Sequence, residues 1–493
     1  MKTEIMLSEE ATLDPQDWTS IRTLGHQMLD DMLDYLQSAG QLPAWKKPSA
    51  YAVGSMNQPL PEQSQEAASV YEDFFNQVLP FNNNNVHPRF WAWVQGGGTP
   101  MGMLADMLAS GMNSNVSLGD HMAMYVEKQV IGWAKEMMGF PSEASGILLS
   151  GGSLANITAL VVARNHFNKT IRAKGLQSVQ SQLIVYGSSE THNCAIKGIE
   201  VIGIGNDNFR RIPIDENYRI KTDELKAAIE ADIAAGLTPF CIIGNAGTVN
   251  TGAIDPLTEL SAIAKAYGCW FHIDGAFGAI PKILPEFQQQ LAGIELADSL
   301  AFDYHKWLYV NYEVACVLIR DADAHRNAFT VQANYLVTHE RGLSAGPEAF
   351  SNLGMELSRG FKALKVWMSL KENGMQKYRQ LVRQNIRQAE YLANLIRLED
   401  NLQLMAEVSL NIVCFRYATS QHTDDELNHI NKEILMRLHE EGIALPSYTL
   451  LNGKYVIRAA ITNHRSRLAD FDALVNAVVS IGNDVAPTIK IND

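Results

Sequence analysis

Cysteine and positive charge are both scarce in this chain. Its 493 residues include only five cysteines, an odd number with no Cys-x-x-Cys pair. That pattern is typical of free thiols in a reducing compartment and argues against a disulfide framework or a zinc site. Lysine and arginine number 40 against 54 aspartate and glutamate residues, which leaves a formal net charge of −14. This acidic balance argues against nonspecific nucleic-acid binding, because such binding needs a basic surface.

Long apolar segments are absent as well. No apolar run approaches the ~18 residues that a membrane-spanning helix needs, and residues 1–18 are polar and acidic without the apolar core of a secretory signal. We therefore expect a cytoplasmic protein with no membrane partner. The composition, 46% hydrophobic and 19% charged, is ordinary for a globular chain, and the length favours about three domains or lobes.

Residues 1–95 are predicted to form a largely helical N-terminal segment. Apolar side chains recur at three- and four-residue spacing from Ile21 to Leu36, which predicts a helix with one apolar face. Such a face needs another surface to pack against.

Residues 96–365 have the pattern of a large α/β domain. Helical segments alternate with short runs that are apolar at every position, which predicts a mainly parallel sheet covered on both faces. The runs are GILLS (146–150), QLIVYG (182–187), PFCIIGN (239–245), CWFHID (269–274), DSLAFD (298–303) and VACVLI (314–319). Residues 366–493 are predicted to form a smaller α+β domain, in which Asn452-Gly453 indicates a two-residue hairpin turn.

A glycine-rich segment follows the first of these runs and opens a helical pattern. Gly151, Gly152 and Ser153 would let backbone N–H groups and a helix N-terminus face an anion, most often phosphate, although a tight strand–helix turn gives the same pattern. The segment also approaches the Gly-x-Ser-x-Gly nucleophile elbow of hydrolases. A serine hydrolase using Ser153, with Asp274 and His305 as partners, is therefore a competing hypothesis.

Asp274 and Lys306 each follow an apolar run. An acid at the carboxyl end of a buried strand lies where α/β sheets bind ligands, although a helix N-cap is an equally common role. Lys306 lies between two aromatic residues, Tyr304 and Trp307, which is unusual for a solvated charge. Desolvation lowers the pKa of a lysine and favours the neutral amine that Schiff-base chemistry requires.

These three features match the three handles of one cofactor. Pyridoxal phosphate needs a lysine for its aldehyde, a carboxylate for its pyridine nitrogen and an anion site for its phosphate. His192, just after another apolar run, is a candidate for the face of the flat ring, whereas a lone histidine there would otherwise be a polar loop residue.

At this point six motifs resemble those of the group II pyridoxal-phosphate-dependent amino-acid decarboxylases, which include the aromatic L-amino-acid, histidine and glutamate decarboxylases. The resemblance runs from about Leu24 to Asp472 and extends to the order and spacing of the motifs. They are HPRFWAW (87–93), SGGSLAN (150–156), ETHNCAIKG (190–198), HIDGAFGA (272–279), DYHKWL (303–308) and NYL (334–336). The resemblance implies an α/β, aspartate-aminotransferase-like fold and a homodimer with a shared active site, in which residues 1–95 pack on the second subunit.

The resemblance also implies roles for individual residues. Lys306 matches the Schiff-base lysine, His192 the histidine stacked on the ring, and Tyr335 a loop tyrosine that protonates Cα after carbon dioxide leaves. Family members with Phe in place of that tyrosine tend to form aldehydes, so Tyr335 and His192 together favour simple decarboxylation. The remaining implied cofactor contacts are Gly151, Gly152, Ser153, Thr248, Asp274, Ala276 and His305.

Several positions near the implied substrate pocket depart from the aromatic-specific pattern. Asn113 and Asn115 stand where those members carry bulky apolar residues, and Asp303 stands where they often have Asn near the phosphate. Trp93 matches an aromatic pocket residue, and Arg458 is a candidate for a carboxylate contact, with a structural salt bridge as the alternative. An aromatic amino acid is the first expectation for the substrate, and an acidic or other polar amino acid is the second.

Two further alternatives remain on the same fold. One is an enzyme that forms aldehydes or transaminates. The other is a catalytically silent scaffold that binds the cofactor but converts no amino acid.

Overall fold

The protein is described by a computed structural model that covers residues 11–331 and 340–489. Its helices are α1 Trp18–Ser38, α2 Ala50–Ser55, α3 Ala67–Asp73, α4 Pro100–Met112, α5 Met122–Met138, α6 Gly152–Phe167, α7 Ile171–Lys174, α8 Asn193–Val201, α9 Thr222–Ala234, α10 Leu257–Tyr267, α11 Ala322–Phe329, α12 Ala363–Leu398, α13 Asp424–Glu440 and α14 Leu468–Val485. Its strands are β1 Phe90–Trp91, β2 Ser145–Leu149, β3 Leu183–Ser188, β4 Phe209–Ile212, β5 Thr238–Asn245, β6 Trp270–Asp274, β7 Ser299–Asp303, β8 Ala315–Ile319, β9 Leu402–Leu404, β10 Ile412–Tyr417, β11 Leu445–Leu451 and β12 Lys454–Ala460.

A seven-stranded sheet in the order β2-β8-β7-β6-β5-β3-β4 forms the centre of the larger part of the molecule. The pairs β4–β3, β3–β5, β5–β6 and β6–β7 are parallel. Strand β8 pairs antiparallel with both β7 and β2. Each of the six apolar runs forms one of these strands, so the predicted mainly parallel α/β sheet is confirmed. The remaining strand, β4, has the sequence FRRI, which lacks a continuous apolar run because its central residues are not buried.

A second sheet, in the order β1-β11-β12-β10-β9, forms the smaller part. The predicted hairpin joins β11 to β12, with positive φ angles of 51° at Asn452 and 79° at Gly453, as a two-residue turn of this kind requires. Strand β1, which comes from the predicted N-terminal segment, pairs in parallel with β11 of this sheet. The boundaries at residues 95 and 365 remain predictions.

Helix α1 covers the predicted apolar stripe but buries none of its residues within this chain. Its N-terminus is capped by Asp17, whose carboxylate accepts a hydrogen bond from the Thr19 N–H at 2.8 Å. Among the described helices, none combines the length and the apolar character needed to cross a bilayer.

The carboxyl ends of three neighbouring strands place polar residues at one edge of the large sheet. Asn245 ends β5, Asp274 ends β6 and Asp303 ends β7, and Asn245 lies in register with Asp274. In open α/β sheets this edge is where ligands bind.

Candidate active site

A cavity of about 470 Å³ opens at this edge of the sheet. Most of the residues that the sequence singled out line it together: Trp93, Gly151, Gly152, Ser153, His192, Asp274, Ala276, His305, Lys306 and Arg458. They come from six separate parts of the chain, so only the tertiary fold brings them to one place.

Lys306 forms an ion pair at the floor of the cavity. Its Nζ lies 2.7 Å from Asp303 Oδ2, and its side chain remains 23% exposed. Burial acts to lower the pKa of Lys306, but the neighbouring acidic groups, chiefly the Asp303 carboxylate, more than offset burial, so the net pKa is raised. The expectation from sequence that desolvation favours the neutral amine is therefore wrong for this arrangement, because Asp303 was not foreseen as the partner of the lysine.

Asp303 is itself almost completely buried, with 1% of its surface exposed. Apart from the ion pair with Lys306, neither carboxylate oxygen has a hydrogen-bond partner among the described residues. A Cβ on Gly152 would lie 2.9 Å from Asp303 Oδ2, so only glycine lets the start of α6 approach the carboxylate without displacing it.

The start of α6 lines one end of the cavity. Gly151 is the N-cap residue, in an extended conformation, and Gly152 and Ser153 form the first turn of this 16-residue helix. Free backbone N–H groups and the helix dipole both favour a phosphate at such a position. The ammonium of Lys306 offsets the neighbouring negative charge of Asp303.

Asp274 and His192 occupy the middle of the cavity. Asp274 is 6% exposed, and its Oδ1 accepts a hydrogen bond from the Ala276 N–H at 3.1 Å. His192 is the N-cap of α8, and its Nδ1 accepts the Cys194 N–H at 3.2 Å, which leaves Nε2 to carry the proton. Desolvation lowers the pKa of His192 against the opposing effect of Asp274, so the imidazole is neutral near pH 7.

The serine-hydrolase hypothesis is not supported by this geometry. His305 Nδ1 interacts with the backbone of Val314, and its Nε2 faces Asp303 Oδ2 at 4.0 Å. No hydrogen bond joins Ser153 to His305 among the described residues.

Gly96 packs closely against the backbone beside Lys306. The carbonyl oxygen of His305 accepts a hydrogen bond from the Gly96 N–H at 3.1 Å, and any side chain on Gly96 would collide with this carbonyl and that of Lys306.

Arg458 reaches the cavity from β12 without an acidic partner. Its Nε donates to the Asn250 carbonyl at 3.1 Å, and its Nη1 donates to the Trp93 carbonyl at 2.7 Å. Burial lowers the pKa of Arg458 to about 10, and its Nη2 has no hydrogen-bond partner among the described residues. The alternative of a structural salt bridge is therefore not what the fold provides.

Three other sequence candidates do not line this cavity. Asn113 ends α4 in a left-handed conformation, and Asn115 Oδ1 accepts the Arg359 N–H at 2.9 Å. Thr248 is buried beside the cavity, where its hydroxyl contacts Thr251. Tyr335 lies outside the described residues. Their assigned roles remain predictions.

Comparison with known proteins decides the family. Residues 50–418 match the model of the pyridoxal-dependent decarboxylase conserved domain. The chain belongs to the pyridoxal-dependent decarboxylase family. Over 489 residues this decarboxylase is 34% identical to an aromatic-L-amino-acid decarboxylase of Bacillus atrophaeus, covering 97% of the chain and 98% of that relative.

Other relatives also match over nearly the whole length of the chain. A phenylacetaldehyde synthase of Arabidopsis thaliana is 27% identical over 460 residues, which covers 91% of this decarboxylase and 93% of the plant protein. The crystal structure of Oryza sativa TDC with PLP and tryptamine superposes with a TM-score of 0.89 at 24% identity, covering 96% of this chain and all of that one. This structural likeness confirms the aspartate-aminotransferase-like fold predicted from the motifs.

The cavity fits pyridoxal phosphate, the cofactor of the family. It offers an amine at Lys306, a buried carboxylate at Asp274 and the N-terminus of α6, in a volume of about 470 Å³. The sequence missed the ion pair of Lys306 with Asp303 and the close approach of Gly96. The only available signals were the acid three residues before the lysine and the Gln-Gly pair after Trp93.

Proposed function

We propose that this enzyme decarboxylates an aromatic L-amino acid to the corresponding amine and carbon dioxide. The observation that carries the proposal is the convergence of Lys306, Asp274, His192 and the start of α6 on one cavity. The 34% identical relative, an aromatic-L-amino-acid decarboxylase, supports the aromatic substrate.

In this function each group acts at one place. Pyridoxal phosphate supplies an electron-withdrawing ring that accepts the electron pair left when carbon dioxide departs. Lys306 would hold its aldehyde, Asp274 would pair with its ring nitrogen, and the N-terminus of α6 would hold its phosphate. His192, neutral and protonated on Nε2, would lie against the ring and offer an N–H to the substrate. Tyr335 is our proposed donor of the proton that returns to Cα.

The substrate side chain is proposed to pack against Trp93, which is 59% exposed at the mouth of the cavity. One observation favours the second candidate, an acidic or polar substrate: the buried Arg458 guanidinium contacts only neutral acceptors and keeps Nη2 free among the described residues. An aldehyde-forming reaction is the third candidate, because one relative is a phenylacetaldehyde synthase.

A substrate panel separates these candidates. The holoenzyme is incubated with each standard L-amino acid and several hydroxylated and diamino ones, and carbon dioxide, amine and aldehyde are measured separately. Amine and carbon dioxide in equal amounts from aromatic substrates support the proposal. Release of carbon dioxide only from acidic substrates, or aldehyde as the main product, would replace it with the second or third candidate.

We also propose that the enzyme is a homodimer whose partner covers the apolar face of α1. Ile21 and Met28 on this face are 39% and 36% exposed in the single chain. We also propose a cytoplasmic location. It is supported by the five cysteines, which are all buried and unpaired, as is usual in a reducing compartment.

If a partner subunit covers the apolar face of α1, charged residues on that face should weaken dimerisation. Combining Ile21→Glu with Met28→Glu is expected to raise the dimer dissociation constant at least about 100-fold, because burial of each such side chain contributes about 1.5–3 kcal/mol. Light scattering across a concentration series measures the change. His26→Glu, on the opposite face of the same helix, is the control and leaves the mass unchanged. A double variant that dimerises like the wild type contradicts the proposal.

The ion pair between Asp303 and Lys306 is expected to set how the rate of cofactor loading depends on pH. In Asp303→Asn the carboxylate that most strongly opposes the effect of burial is gone, so the pKa of Lys306 falls. Each unit of that fall increases the neutral, reactive amine about tenfold at neutral pH. Apoenzyme is mixed with pyridoxal phosphate at a series of pH values, and the visible absorbance is followed. Asp303→Asn is expected to load faster than the wild type, and the increase of its loading rate with pH is expected to begin at lower pH. Asp298→Asn, just before the start of β7, is the control, and an unchanged profile in Asp303→Asn would contradict the ion pair.

A further inference from the structure

A buried series of hydrogen bonds leads through the core to Asp274. Trp270 Nε1 donates to Ser299 Oγ at 2.8 Å, and Ser299 Oγ lies 2.8 Å from His272 Nδ1. His272 Nε2 lies 2.6 Å from Asn156 Oδ1. Asn156 Nδ2 then donates to Cys194 Sγ at 3.5 Å, and the Cys194 thiol donates to Asp274 Oδ2 at 3.7 Å. We call Trp270, Ser299, His272, Asn156 and Cys194 the donor chain.

The direction of every hydrogen in the donor chain is determined by its neighbours. Asn156 Nδ2 also donates to the Gly152 carbonyl at 2.8 Å, so the amide oxygen must face His272. That oxygen only accepts, so His272 carries a proton on Nε2. Burial lowers the pKa of His272 to about 4, so the ring is neutral and its Nδ1 accepts from the Ser299 hydroxyl. A carboxylate also only accepts, so all the hydrogens point toward Asp274.

The sheet places these groups by its two-residue period. Trp270, His272 and Asp274 alternate along β6 and therefore share one face, and Ser299 lies opposite His272 on β7. Asn156 and Cys194 reach the same face from α6 and α8. Asn156, His272 and Ser299 are completely buried, so these donors are held in a low-dielectric core where aligned hydrogen bonds strengthen one another.

We propose that the donor chain is a positioning unit that fixes Asp274 Oδ2 as the acceptor for the ring-nitrogen proton of pyridoxal phosphate. The inference rests on the proposed function, in which Asp274 faces that nitrogen. A proton shared between the two groups lies on nitrogen when the carboxylate is the better-stabilised charged partner. Donors that end on Asp274 Oδ2 stabilise the carboxylate, so they favour the protonated ring.

Cys194 is the link at which the proposal is best tested. Cys194→Ala removes the thiol donor but keeps the backbone N–H that bonds to His192, and Cys194→Ser restores a donor of similar size. The holoenzyme is prepared with pyridoxal phosphate labelled with nitrogen-15 in the ring, and the chemical shift of that nitrogen is measured. The dissociation constant of the cofactor, from equilibrium dialysis, is the second readout.

In Cys194→Ala the ring-nitrogen resonance is expected to move toward the neutral pyridine position, and the cofactor to bind about tenfold more weakly, as for the loss of one hydrogen bond to a charged group. Cys194→Ser is expected to return both values toward the wild type. His272→Leu, two links further back, is expected to move the resonance in the same direction. Cys241→Ala, a buried thiol on β5 outside the donor chain, is the control.

Two results overturn the inference: a wild-type resonance in Cys194→Ala, or an equal change in Cys241→Ala. Asp274→Ala in the same measurement separates this from failure of the proposed function. If Asp274→Ala loses the protonated signal while Cys194→Ala keeps it, only the donor chain is wrong. If Asp274→Ala keeps the wild-type signal, Asp274 is not the partner of the ring nitrogen, and the proposed role of Asp274 fails together with the inference.

Discussion

Replacing Lys306 with alanine is expected to abolish the visible absorbance of the bound cofactor and to lower kcat for decarboxylation by about 10³-fold or more. The amine that binds the aldehyde is lost, and losses of about 10²–10⁴-fold are usual when a group that acts at the reacting centre is removed. Absorbance spectra after reconstitution and carbon dioxide release under saturating substrate measure the two effects.

The control for this prediction is Lys197→Ala. Lys197 lies on α8, close in sequence to His192, but its side chain is exposed and it does not line the cavity. It should leave both readouts at wild-type values. Full activity in Lys306→Ala, or an unchanged cofactor spectrum, would contradict the assignment of Lys306 and with it the proposed function.

Asp274→Asn is expected to lower kcat/KM by about 10²–10³-fold, the range found when one preorganised charge-stabilising group is removed. The amide keeps the shape of the side chain and still accepts the Ala276 N–H, but it no longer favours a positive charge on the ring nitrogen. The electron-withdrawing effect of the ring, on which loss of carbon dioxide depends, is therefore weakened.

Asp274→Glu keeps the charge while moving it, and a smaller loss than in Asp274→Asn would identify charge, and not packing alone, as the cause. Steady-state rates at a series of substrate concentrations separate the fall in kcat from any change in KM. Wild-type kcat/KM in Asp274→Asn would contradict the role of Asp274.

Some of this architecture was predictable because it depends on local pattern. Short runs without polar alternation are typical of strands covered on both faces, and all six of them became strands of the large sheet. Parallel strands end at a common edge, so Asp274 and the lysine just after β7 were expected to meet there. The Asn452-Gly453 turn was equally predictable, because few other residue pairs accept positive φ at both positions.

Other features were decided by packing and had no local pattern. Lys306 was expected to be neutral, yet the turn after β7 brings Asp303 to 2.7 Å and raises the lysine pKa instead. Arg458 was a candidate for a salt bridge, yet its guanidinium donates to the backbone carbonyls of Asn250 and Trp93. In both cases the charge state follows from which neighbour is nearest, and sequence spacing does not give that distance.

The sequence by itself determined the fold class, the family and ten of the residues that line the cavity, because motif order and strand periodicity are properties of the chain. Only the tertiary structure decided which hydrogen-bond and ion-pair partners the charged groups of the cavity have. His272 and Asn156 are 116 residues apart, and Cys194 and Asp274 are 80 apart, yet each pair is hydrogen bonded. From the sequence, the five cysteines were predicted only to be free thiols. One of them proves to contact Asp274, because α6 and α8 pack on the face of β6 that carries it.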